Sequence, residues 1–144
     1  MPVKLNISEK GKTFHLEADI EPFILKKIGD TIEGHLINTD LSGYSLKITG
    51  GSDISGLPAF QEVEGQGHKR VLLKRGKGMW QSRPKGLRKR KTVHGNTIDR
   101  IMTQINLLVE KKGQKKLEDI FPDQNKPKEK EAPKQETQEA NSNQ

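Results

Sequence analysis

"TIDRIMTQINLLVEKKG", residues 97–113, carries two periods at once. Ile98, Ile101, Met102, Ile105, Leu108 and Val109 recur at helical spacing, whereas Ile105, Leu107 and Val109 alternate as a half-buried strand does. The helical set is the longer, and periodicity alone favours a helix. The choice weighs on the fold class, because most apolar segments before this one read as strands.

Upstream, "VKLNIS" (3–8) alternates Val3, Leu5 and Ile7 with polar residues, and "FHLEADI" (14–20) alternates again through Phe14, Leu16 and Ala18. With "EKGKT" (9–13) between them they predict a β-hairpin. That turn ends like a phosphate-binding loop, but Asn6 stands where the pattern needs glycine and no helix follows, so it reads as a turn. "PFILKK" (22–27) predicts a short helix opened by Pro22. "TIEGHLI" (31–37) and "YSLKIT" (44–49) predict strands joined by "NTDLSG", and "GGSDISGLP" (50–58) predicts a long loop. "KRVLLK" (69–74) predicts a strand with Val71 and Leu73 on one face and cations on the other. Downstream, all 34 Leu, Ile, Val and Phe lie at or before Phe121. Residues 1–121 therefore read as one small domain and 122–144, rich in Pro, Lys, Glu and Gln, as a disordered polar tail.

Charge is concentrated just before the ambiguous segment. The chain carries a formal net charge of +7, yet residues 65–98 hold eleven Lys and Arg with no Asp or Glu, while the other 110 residues hold 15 cations and 19 anions. Such an acid-free block calls for a polyanionic partner. Its cations are Lys69, Arg70, Lys74, Arg75 and Lys77, then the denser Arg83, Lys85, Arg88, Lys89, Arg90 and Lys91. Arg grips two phosphate oxygens at once through its planar fork. Glycines at 76, 78, 86 and 95, with Pro84, make a helix poor here and predict an irregular arm able to follow an RNA surface. Trp80, in "GKGMWQSRP" (76–84), has two readings: stacking on an unpaired base, or packing as core or lid.

Other chemistry is sparse. His15, His35, His68 and His94 show no ligand spacing, and without cysteine neither a disulfide nor a thiolate metal site is available. His68 and His94 flank the basic block and can add RNA hydrogen bonds, or stand as ordinary surface histidines. Asp30, Asp40 and Asp53 sit in glycine turns, where Asp commonly bonds its own backbone. No nucleophile stands with a base and an orienting acid, so neither an enzyme nor a small-molecule or cofactor site is expected. No apolar run reaches the length of a signal peptide or membrane span, and the expectation is a cytoplasmic protein without a membrane partner.

"KKIGDTIEG" (26–34), "GYSLKITGGSDISGLP" (43–58), "HKRVLLKRGKG" (68–78), "RPKGLRKRKTVHGNTI" (83–98) and "QINLLVEKKG" (104–113), in that order, closely resemble small-subunit ribosomal protein six of the archaeal and eukaryotic type, in its shorter archaeal form. The resemblance implies a structural constituent of the small ribosomal subunit in the cytoplasm, with rRNA and neighbouring ribosomal proteins as partners. It also implies a mainly β, small antiparallel barrel-like domain bearing the basic arm, and a strand rather than a helix at "QINLLVEKKG". The family's glycine loop is matched by Gly50, Gly51, Ser52, Asp53, Gly56 and Pro58; its basic signature by Arg83, Pro84, Gly86, Arg88, Lys89, Arg90, Lys91, Val93 and Gly95. Leu87 replaces a usual acid, His94 a usual arginine, and "GLPA" the commoner "GFPM". Eukaryotic relatives carry a long helical extension ending in a phosphorylated Arg- and Ser-rich tail; Ser142 is the single serine after Pro122, with no basic residue beside it, so kinase regulation is not expected to carry over. The alternative is an RNA- or DNA-binding regulatory module acting away from the ribosome, and a more distant one a nuclease.

Overall fold

A computed structural model describes residues 2–81, 83–122 and 124. The ambiguous segment is a strand. Among these residues the strands are β1 (Pro2–Glu9), β2 (Lys12–Asp19), β3 (Thr31–Glu33), β4 (Ser45–Asp53), β5 (His68–Leu73), β6 (Lys89–His94) and β7 (Met102–Lys111), followed by one helical turn, α1 (Leu117–Ile120). β7 lies in the middle of a five-stranded sheet of order β2-β1-β7-β4-β3, parallel to β1 and antiparallel to β4. Ile105 and Leu107 are buried and Leu108 is exposed, as alternation demands. Ile101 is also exposed, which removes it from the helical set.

A β-bulge explains why the helical reading looked good. Ser52 pairs with Gln104 and Asp53 with Met102, so one step along β4 spans two along β7. Thr103 is the extra residue, and its hydroxyl donates to the Asp53 carbonyl at 3.1 Å. The insertion flips the side-chain alternation and lets Met102 and Ile105, three apart, both face inward.

The sheet is mainly β as expected, but mixed rather than wholly antiparallel, and open rather than closed: β2 and β3 are its edges. The parallel partner of β1 comes from about a hundred residues away (Lys4 against Gln104), a pairing that no local pattern encodes. One face is covered by connections instead of by further strands: Ile20, Phe23, Leu41, Ile98 and Leu117 pack with Val3, Leu5, Ile7, Leu46, Ile48, Ile105 and Leu107. The expected first hairpin is present, with Lys10 and Gly11 at its turn, both at positive φ (44° and 83°).

Three boundaries differ from the sequence reading. The helix expected at 22–27 is one 3-10 turn, Glu21–Phe23, because Leu25 adopts a positive φ (67°) straight afterwards. The strand expected over 31–37 ends at Glu33, where Gly34 starts another 3-10 turn closed by Ile37 N–H on its carbonyl at 3.0 Å. The loop expected from residue 50 begins only after Asp53, since Gly50 and Gly51 belong to β4. Any Cβ at Gly51 would lie 2.5 Å from the Gln104 carbonyl oxygen, so glycine is what lets β4 follow the bulged β7. Gly56 takes a φ of +74° in the turn that follows, and Gly50 faces open space. The tail reading, 122–144, lies almost wholly outside the described residues.

β5 and β6 form a separate antiparallel hairpin, in register from His68↔His94 to Leu73↔Lys89. Phe60, Leu73, Met79 and Val93 make its own small core, flanked by Val63 and Val71. The expectation of an irregular arm is thereby corrected. Lys89–His94 is regular strand because Lys89, Lys91 and Val93 alternate opposite Leu73, Val71 and Lys69; the Gly- and Pro-rich irregularity is confined to 74–88.

Candidate nucleic-acid interface

Directly paired residues share a face of a hairpin. Lys69, Val71 and Leu73 therefore line up with Val93, Lys91 and Lys89 over the small core, while Arg70 and Leu72 line up with Thr92 and Arg90 on the outer face. Lys69 thus sits on the same side as Val71 and Leu73, not opposite them. The outer four are all exposed. Lys74, Arg75, Lys77, Arg83, Lys85 and Arg88 are exposed on the connection between the strands, and Lys91 alone of the eleven cations is half-buried.

Among the described residues these cations meet no carboxylate. Among the described residues the Lys–carboxylate ion pairs are Lys12–Glu118, Lys47–Glu110 at 3.6 Å, Lys112–Glu9 and Lys115–Asp40 at 2.9 Å. None involves a residue of the basic block. What the block's lysines do find is neutral: Lys69 donates to the Glu64 carbonyl, Lys89 to the Gln81 side chain, and Lys77 lies 5.0 Å above the Phe60 ring. A surface of this kind repels itself over a screening length of about 8–10 Å and relaxes only against a dense anion.

Trp80 is 83% exposed, which overturns its reading as core or lid. Met79, its neighbour, takes the buried place. An indole can bury roughly 200 Å², so at about 25 cal/mol per Å² the exposure leaves on the order of 4 kcal/mol unrealised as an upper bound.

His94 is also corrected. It is completely buried and cannot reach a nucleic acid. Its backbone is bonded on both sides to the segment 58–60, with His94 N–H to the Pro58 carbonyl at 3.0 Å and Phe60 N–H to the His94 carbonyl at 3.1 Å. Its ring lies between the Gly95 carbonyl (Nδ1, 3.0 Å) and the Asp99 carboxylate (Nε2, 3.2 Å). His68 meets it edge-on, ring centroids 5.9 Å apart, and turns its own Nε2 to the Asp53 carboxylate.

These groups form a seam between hairpin and sheet that the sequence reading missed. Asp53 does bond its own turn, its Oδ1 accepting from Ser55 N–H at 2.8 Å and Leu57 N–H at 2.9 Å. Its second oxygen, however, holds His68 on β5. Burial pushes the Asp53 carboxyl up, but the Leu57 and Ser55 N–H groups and His68 outweigh it, and the group ends below its ordinary range. Asn96 adds to the seam, accepting from Gly65 N–H at 3.2 Å and donating to the Gln61 carbonyl at 3.3 Å. No local motif announces a contact between residues 15 or more apart. Among the described residues there is no group of three or more His, Cys, Asp or Glu placed to hold a metal.

The family model described as ribosomal protein S6e matches residues 1–122. The chain belongs to that family. Among its relatives is the small ribosomal subunit protein eS6 of Methanococcus maripaludis, 44% identical over 107 residues, covering 74% of this chain and 84% of the relative. That of Nanoarchaeum equitans is 42% identical over 122 residues, covering 83% and 89% respectively. That of Methanothermobacter thermautotrophicus is 43% identical over 124 residues, covering 84% and 96%. The match to the ribosomal protein S6e family takes in both sheets, the seam and all eleven cations of the block.

Proposed function

We propose that this protein is a non-catalytic constituent of the small ribosomal subunit in the cytoplasm, held on rRNA by the β5–β6 hairpin and its connection. The observation that carries the reading is that, among the described residues, none of the block's eleven cations has a carboxylate partner, whereas Lys12, Lys47, Lys112 and Lys115 each have one. The open sheet is the rigid body; the seam fixes the angle at which the hairpin leaves it. Lys69, Arg70, Lys74, Arg75, Lys77, Arg83, Lys85, Arg88, Lys89, Arg90 and Lys91 neutralise phosphates. Contacts of that type set affinity and register, and specificity comes from fitting one folded RNA shape. Neighbouring ribosomal proteins are the expected contacts of the remaining surface.

Sedimentation of the tagged protein through a sucrose gradient tests this reading. A stoichiometric peak with small subunits is expected, lost when Arg88, Lys89, Arg90 and Lys91 are replaced by Gln. A slow peak carrying mixed RNA would point instead to a nucleic-acid-binding module acting off the ribosome.

A further inference from the structure

The chain has a single tryptophan, and it is turned outward between two anchored neighbours. On one side, Met79 is buried with Phe60, Leu73 and Val93, and its N–H closes on the Gly76 carbonyl at 3.1 Å. On the other, half-buried Gln81 accepts a hydrogen bond from Lys89 of β6. The backbone just before residue 80 is thus tied to the hairpin, and the side chain just after it meets β6. Met79 anchors the turn that points the indole outward, which lowers the conformational cost of presenting it.

The surroundings decide what such a ring suits. Lys74, Arg75, Lys77 and Arg83 lie on the same connection, and no acid occurs from residue 65 to 98. An apolar protein surface closing over Trp80 would have to strip water from these cations without offering charge in return. A nucleotide offers a flat π face together with phosphates on either side. We propose that Trp80 stacks on an unpaired nucleobase, giving the hairpin a preference for single-stranded over fully paired RNA. The proposal rests on the RNA-binding reading above and adds to it a base contact that phosphate neutralisation does not supply.

Because Trp80 is the sole tryptophan, its fluorescence reports the contact directly. The full chain is titrated with an unstructured oligouridylate and, separately, with a blunt RNA duplex of equal length, binding being followed in parallel by anisotropy of labelled RNA. The single strand should quench Trp80 strongly; the duplex should bind with comparable salt dependence and leave the emission nearly unchanged. Trp80→Ala should weaken single-strand binding by about fivefold to a hundredfold and leave duplex binding unaltered, with Trp80→Phe retaining most of the affinity. Single-strand binding without quenching, equal quenching by both RNAs, or an unaltered Trp80→Ala affinity would each overturn the stacking contact while leaving the phosphate reading in place. Failure of either RNA to bind would remove both. The wild-type quenching comparison decides the matter even if a variant folds poorly.

Discussion

At the Lys111 end of β7, Lys12 faces Glu118, Lys112 faces Glu9 and Lys115 faces Asp40. At the Met102 end, ten residues and roughly 30 Å away along the strand, the β5–β6 hairpin and its connection carry eleven cations, and no carboxylate among the described residues meets any of them. Both regions are rich in lysine, nearly all of it exposed. They differ in whether a counter-charge lies among the described residues. At the first end the Glu9 carboxylate raises the Lys112 ammonium above its ordinary range, and Lys12 draws the Glu118 carboxyl below its own. At the second, Lys69 finds a backbone carbonyl, Lys89 a side-chain amide and Lys77 an aromatic ring. Basic composition alone therefore says little about a partner; the pairing state of each cation says more.

The comparison breaks hardest at the hairpin. Replacing Arg88, Lys89, Arg90 and Lys91 together by Gln should weaken binding to small-subunit rRNA by roughly a hundredfold or more at fixed salt, as filter binding would report. Melting should be little changed, because these side chains hold no ion pair among the described residues.

Next in size is a substitution that spares the interface and attacks the sheet. Ile105→Ala empties a fully buried position on the central strand and should cost about 2–5 kcal/mol in a urea titration, while the folded protein keeps its RNA affinity. A large change in affinity at temperatures where the variant is folded would mean that sheet and interface are not separable in this way.

The seam lies between these extremes. Asp53→Asn should cost about 1–3 kcal/mol, since a buried acceptor of two N–H bonds and of His68 loses its charge. The sign with pH follows from the lowered Asp53 carboxyl. Its contribution is complete above the unfolded value of about 3.9, and is lost as pH falls through the lower folded value. Wild type should therefore lose stability on acidification below about pH 4 along a limb that Asp53→Asn flattens, measurable by urea titrations at stepped pH.

The smallest effect is expected at the far end. Lys12→Gln, Lys112→Gln and Lys115→Gln combined should leave RNA affinity within about twofold and shift melting by a few degrees at most, because ion pairs made by exposed lysines contribute little.

What was legible in the sequence follows the same division. The β1–β2 hairpin and the cationic block are local patterns, and both are where the residues put them. β7 was half legible: Ile105 and Leu107 alternate correctly, but the bulge at Thr103 brings Met102 into line and imitates a helical repeat. The resemblance to a known family, not periodicity, pointed to the strand. His94 misled for a related reason. Four Lys and Arg lie just before it in sequence, so it reads as part of the basic surface, whereas backbone bonds to Pro58 and Phe60 seal it into the seam. Asp53 read as a turn residue, which it is, and nothing nearby betrays that its other oxygen reaches β5. Contacts within a few residues are written in the pattern; those made by strand pairing across the chain are not.

The salt dependence of rRNA binding tests the central claim most directly. With about six phosphates neutralised, a plot of log affinity against log salt concentration should fall with a slope of roughly −4 to −5 for the wild type, and the Arg88, Lys89, Arg90, Lys91 replacement should make it shallower by roughly 3. A slope near zero in the wild type, or one that the fourfold replacement leaves unchanged, would contradict the account.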